Sequence, residues 1–216
     1  MQNNLLSFRT LSIFSALSLL ATQILLTPNC FASKYELQNL KKFFTDHKIK
    51  STTIHKKVLK EKVVSSCDMR SSNKTQGLSF YLAALHKKPC KKAFKKLKQY
   101  ENYKDHIGII EKSNYNSKRG EAFFLIDSPL IPRKMVVKFK LPRIKDVGTY
   151  PYTFDHGIFK DLHGDIILSN YKNRCLFYST AKWDGPSTKI PDFILRIFIE
   201  TATRMTIQKL FRISAN

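Results

Sequence analysis

The densest polar cluster in the chain is Asp155-His156-Gly157 followed by Asp161-Leu162-His163-Gly164-Asp165. Two histidines and three aspartates within 11 residues are donors of the kind that hold zinc. The histidines lack the spacing of one helix face, and a glycine follows each. That pattern reads as turns at strand ends, so the expectation is a surface turn with no metal. A cysteine nucleophile needs a histidine partner. Cys67 and Cys90 lie in lysine-rich stretches, a setting that lowers a thiol pKa. Cys175 sits in an apolar strand pattern as a small hydrophobe. With seven glycines, the chain has little material for a phosphate loop, and it carries no serine elbow. His106, His156 and Arg133 remain as acid/base candidates, none with an evident partner. The expectation is a protein that is not an enzyme and needs no cofactor.

Residues 1–32 form a separate object. Arg9 is their only charge, residues 11–26 are an apolar run, and Cys30-Phe31-Ala32 offers small residues at −3 and −1 of a cut after Ala32. That is the layout of a cleavable secretory leader. The run is about 16 residues, short of the roughly 20 that span a bilayer. The expected location is periplasmic or secreted; the alternative is an inner-membrane anchor left uncleaved. The remainder suits one domain with a real core. The net charge of +22 favours anionic surfaces. Export leaves nucleic acid out of reach and points to anionic lipid headgroups, although a lysine-rich surface also serves solubility alone.

The elements follow from periodicity. Residues 33–50 read as a helical extension, with Tyr35, Leu37, Leu40, Phe43 and Phe44 at helical spacing over 34–48. Residues 52–70 are β-branched enough for an extended pair, and Ser71-Ser72-Asn73-Lys74 is turn chemistry. Strands are expected at 78–86, 121–126, 134–140, 150–155, 164–169 and 175–183, and Asn114-Tyr115-Asn116-Ser117 reads as a loop. Within 134–140, Met135, Val137 and Phe139 share one face. A helix follows Pro89, and a long one runs over 191–212 with an apolar stripe of Ile190, Phe193, Ile194, Ile197, Phe198, Ala202 and Met205. A hairpin turning near Asn73 puts Cys67 opposite residue 80, about 30 Å from Cys90. No Cys67–Cys90 bridge is expected, and the pairing of Cys175 stays open. The order of helix, strands, helix, strands and long helix is α+β with an antiparallel sheet.

Five stretches in this order resemble the START-like (StAR-related lipid-transfer, helix-grip) superfamily, especially its secreted bacterial members. Val64-Ser65-Ser66-Cys67-Asp68-Met69-Arg70 resembles the strand before the first long strand. Residues 78–97 resemble the strand, Ala-Pro turn and helix, with Lys88-Pro89 in place of Ala-Pro. Tyr100-Glu101-Asn102-Tyr103 resembles the Asp-x-x-x-Tyr segment, and Pro129-Leu130-Ile131-Pro132-Arg133 resembles the Pro-x-x-x-Arg-Asp lead into a strand. Residues 183–212 resemble the last strand and gating helix. The resemblance covers roughly residues 50–212. Two positions depart from it: Lys134 stands where the family has Asp, and the tryptophan after the tyrosine segment is absent, with His106 nearby.

The resemblance implies a curved sheet wrapped round the terminal helix over 51–216, with one lipid-like molecule held between them. The expected cavity residues are Phe80, Leu82, Phe123, Leu125, Arg133, Met135, Val137, Phe139, Phe177, Phe193 and Ile197. Arg133 would pair a carboxylate or phosphate headgroup. The apolar positions also fit a filled core. Lys87, Lys88, Lys91, Lys92, Lys95 and Lys96 form the expected membrane contact, since lysines at a helix N-terminus oppose its dipole. The expected partners are a hydrophobic small molecule and an anionic membrane, with no nucleic acid and a monomeric protein. A cyclase- or hydrolase-like enzyme and a ligand-free interaction module are the alternatives.

Overall fold

Alternating apolar and polar residues build most of this molecule. The computed structural model describes residues 44–45, 52–131 and 133–215. The chain divides into one unit over 1–55 and another over 56–216. Residues 44 and 45 are helical, within the helix expected over 34–48. The rest of that helix and the leader expected over 1–32 lie outside the described residues. Among the described residues, no helix is long and apolar enough to cross a membrane.

The elements are α1 (Thr52–Leu59), β1 (Val64–Ser71), β2 (Thr75–His86), α2 (Cys90–Leu97), a 3-10 helix (Tyr100–Asp105), β3 (Ile110–Asn116), β4 (Glu121–Ile126), β5 (Met135–Lys140), β6 (Gly148–His156), β7 (His163–Tyr171), β8 (Arg174–Pro186) and α3 (Asp192–Ala215). The strands form one antiparallel sheet in the order β1-β2-β8-β7-β6-β5-β4-β3. The β1–β2 register sets Cys67 opposite Phe80, as the hairpin argument expects. At 24 residues, α3 is about 36 Å long and packs against β1, β2 and α2.

Two expectations are corrected. Residues 52–58 are helical rather than extended. Ile54 and Val58 stand one helical turn apart, and that apolar pair outweighs the β preference of the neighbouring threonines. The loop expected at 114–117 is largely the end of β3. Its polar residues suit an edge strand, which pairs on one side only and turns just part of its surface inward.

What places α3 is a set of polar fasteners along β1 and β2. Gln76, buried in β2, donates from Nε2 to the Ile190 carbonyl at 2.9 Å and to Asp192 Oδ1 at 2.6 Å. Its Oε1 accepts from the Thr188 hydroxyl at 2.6 Å. Ser71 adds a 2.7 Å bond to Asp192 Oδ1. These donors hold the Asp192 carboxyl below its ordinary pKa. Midway along the helix, Glu200 Oε1 accepts the Cys67 amide at 2.8 Å, and its carbonyl accepts the Ser65 hydroxyl at 3.2 Å. At the far end the Lys88 amide donates to His86 Nδ1 at 3.0 Å, which leaves the ring proton on Nε2. Nε2 donates to Ser214 Oγ at 3.0 Å, and the Ser214 hydroxyl donates to the Leu210 carbonyl at 2.7 Å.

A disulfide joins Cys90 at the start of α2 to Cys175 in β8. Cys175 is thus a crosslink at the beginning of its strand, not a mid-strand hydrophobe. Cys67 is the free, buried thiol among the described residues. Burial, reinforced by the Glu200 charge, pushes it up to about 12, which corrects the expectation of a lowered pKa.

Two predictions follow from these fasteners. The bridge closes a sequence separation of 85 residues, so the double variant Cys90→Ser/Cys175→Ser loses about 2–4 kcal/mol of stability, read by chemical denaturation with and without reductant. An unchanged midpoint would contradict it. Burial holds His86 neutral and lowers its pKa below the ordinary 6.5. The unfolded chain binds that proton more readily, so this contribution is complete above about pH 6.5 and shrinks as pH falls below it. Thermal midpoints at pH 7.5 and 5.5 should differ, and His86→Leu should flatten that difference.

Candidate ligand-binding site

Because α3 leans along β1, β2 and α2, it leaves space above the rest of the sheet. The result is a cavity of about 310 Å³. That volume is at the lower end of ligand pockets. Its floor comes from inward positions of β2 to β8, and its roof from α3. Leu141 and Ile144 of the β5–β6 connection close one end beside the 3-10 helix.

That end is latched by the Tyr100-Glu101-Asn102-Tyr103 segment. Tyr100 donates to the Pro142 carbonyl at 3.3 Å and accepts the Ile144 amide at 3.3 Å. Arg143 clasps Glu101 with two bonds of 3.2 and 3.1 Å and donates to the Lys98 carbonyl at 2.6 Å. Its guanidinium lies 4.3 Å from the centre of the Tyr115 ring. Nothing in the sequence singled Arg143 out; its only signal is a proline on one side and an isoleucine on the other.

The cavity wall carries a row of aromatic contacts. Tyr103 stacks on Phe124 with centroids 5.7 Å apart, and Phe124 meets Phe139 edge-on at 5.5 Å. Phe139 stacks on Phe154 at 5.0 Å, and Phe154 touches Tyr152 at 6.0 Å. The hydroxyls are mostly spent on the backbone. Tyr103 donates to the Leu97 carbonyl at 2.6 Å, Tyr152 to Thr180 at 3.0 Å, and Thr203 to Ile199 at 2.5 Å. Burial raises the phenols, Tyr152 to about 12 and Tyr103 well above its ordinary value.

The structure places the expected residues as follows. Phe80, Leu82, Met135, Val137, Phe139 and Phe177 line the cavity. Phe123 and Leu125 do not. The β4–β5 register pairs Phe124 with Val137, so in a strand of period 2 Phe124 and Ile126 point inward and their neighbours outward. Phe193 and Ile197 are 62% and 48% exposed on the outer side of α3. The inward face is Phe198, Ile199, Ala202, Thr203, Thr206, Ile207 and Leu210. An apolar count misses it because two threonines belong to it; back-bonding to the helix carbonyl lets Thr203 face an apolar space. Arg133 is exposed ahead of β5 and off the cavity wall. Lys134, the departure from the family pattern, pairs with Glu111 at 2.5 Å and Asp127 at 3.3 Å on the surface.

His106 and His156 also lie off the wall. The Asp155–Asp165 stretch ends β6 and opens β7, and no metal-holding group gathers among the described residues. Its glycines are backbone requirements. Gly157 has a φ of 92°, and a Cβ at Gly164 would strike the Thr180 carbonyl. Lys87, Lys91, Lys92, Lys95 and Lys96 are exposed, while Lys88 is half-buried beside His86. Opposite the lysines of α2, Cys90, Ala93, Phe94 and Leu97 are buried.

No protein-family model matches the chain, and no curated protein matches it. Solved structures do. The Zhui aromatase/cyclase of Streptomyces sp. R1128 superposes with a TM-score of 0.51 at 10% identity, over 64% of this chain and 93% of that one. Ara h 8.0201 gives 0.50 at 14% identity, over 64% and 97%. A conserved protein of Geobacillus kaustophilus gives 0.51 at 12% identity, over 66% and 95%. Identities this low speak for architecture alone. An eight-stranded antiparallel sheet closed by one long C-terminal helix, matched by these structures, gives this chain the helix-grip fold.

Proposed function

We propose that this protein binds one hydrophobic molecule in the cavity between sheet and helix, and carries or sequesters it outside the cytoplasm. The observation that carries the reading is the cavity itself: about 310 Å³ of partly open space between sheet and helix, walled by aliphatic and aromatic side chains. Protein interiors pack densely and apolar voids are costly, so a space of this size has a use. Export is supported by the leader-like residues 1–32 and by the Cys90–Cys175 bridge, which persists in oxidising compartments. The net charge of +22 and the exposed lysines of α2 support docking on an anionic membrane through Lys87, Lys91, Lys92, Lys95 and Lys96, with Lys88 at their edge.

A catalytic reading would need an acid or base on the cavity wall. His106, His156 and Arg133 lie off it, and the hydroxyls of Tyr100, Tyr103 and Tyr152 are engaged with backbone carbonyls. Binding without chemistry is therefore the reading we adopt.

Native mass spectrometry of the protein purified from its own compartment should find one hydrophobic molecule per chain. Ala202→Trp, which fills the cavity from the helix side, should remove that molecule while the circular dichroism spectrum stays unchanged. An empty wild-type protein that also ignores fluorescent lipid would end the carrier reading.

A further inference from the structure

The cavity offers nothing to balance a charge. None of its described lining residues is Lys, Arg, His, Asp or Glu. Two charged groups beside lining residues have other engagements: Arg143 is clasped by Glu101, and Glu200 accepts the Cys67 amide. Arg133, the residue that a headgroup would want, is exposed ahead of β5. The hydroxyls of Tyr100, Tyr103, Tyr152 and Thr203 already donate to backbone carbonyls. Ser179 meets the Tyr152 hydroxyl at 3.5 Å, and Thr206 remains as a hydroxyl that a ligand can meet. A carboxylate, phosphate or ammonium drawn into this space would lose its water and gain no counter-ion, whereas a single neutral polar group would find one hydroxyl.

The wall has a second bias. The ring contacts running from Tyr103 through Phe124, Phe139 and Phe154 to Tyr152 give one side of the cavity an extended aromatic surface. Contact with these rings, edge-to-face or offset, rewards an unsaturated ring-containing partner beyond the area buried. A saturated chain gains burial alone.

We propose that the cavity selects an uncharged ligand with a flat, ring-containing or unsaturated body and at most a hydroxyl or carbonyl as its polar group, and that it rejects the ionised counterpart. This rests on the carrier reading and narrows it. Charged amphiphiles, fatty-acid anions among them, are then excluded from the interior and limited to whatever contact the basic surface provides.

The test uses two probes of nearly the same shape that differ in charge. The protein, freed of bound hydrophobic material, is titrated at pH 8 with 1-pyrenemethanol and with 1-pyrenecarboxylate, followed by pyrene fluorescence. The alcohol should bind at least about tenfold more tightly than the carboxylate. Thr206→Lys, which brings an ammonium to the wall, should narrow or reverse that preference. Equal or tighter binding of the carboxylate by the wild-type protein would overturn the inference and leave the carrier reading intact. If neither pyrene binds, the molecule found by native mass spectrometry decides: a charged one overturns the inference, a neutral one upholds it. An empty protein in both experiments removes inference and carrier reading together.

Discussion

Everything in this molecule depends on how α3 is held. Its attachments are polar and lie to one side: Gln76 and Ser71 at the first turn, the Cys67 amide and Ser65 midway, and His86 at the last turn. A helix set by apolar packing alone would sink onto the middle of the sheet until the space closed, because burial of apolar surface has no preferred direction. Directional hydrogen bonds along β1 and β2 oppose that collapse. The disulfide adds a covalent stop by fixing α2, which packs on α3, to β8. The cavity is the part of the interior those fasteners keep the helix from filling.

Much of this was legible in the sequence, for reasons that differ by element. A short apolar run located β4 to the residue, and period-2 alternation placed Met135, Val137 and Phe139 on the inner face of β5. The ordered set of motifs gave the helix-grip architecture. What the sequence hid was phase. In β4 all of Ala122 to Ile126 is apolar, so alternation could not tell Phe123 from Phe124; the pairing with β5 decides it. In α3 the inward face is partly threonine, while Phe193, Ile197 and Met205 look outward. Phase there is set by Glu200 and Asp192, polar residues that hydrophobic patterning does not weigh. The Cys90–Cys175 pairing was equally out of reach, since it needs the sheet order that seats β8 beside β2.

The same features separate two kinds of chemistry. Charge is abundant on the outside, from the lysines of α2 to the Lys134–Glu111 and Arg143–Glu101 pairs. It is missing from the cavity wall. Charged groups thus face solvent while the cavity presents aliphatic and aromatic side chains.

The central claim is that the space under α3 is a dry, apolar, standing cavity. Diffraction from crystals of the ligand-free protein pressurised with xenon tests it most directly, because xenon occupies apolar voids and passes over polar ones. The account predicts xenon density between Phe139 and Phe154 on the sheet and Phe198 on the helix, with the α3 fasteners unchanged. Side chains collapsed into that space, or a chain of ordered waters through it, would contradict the account.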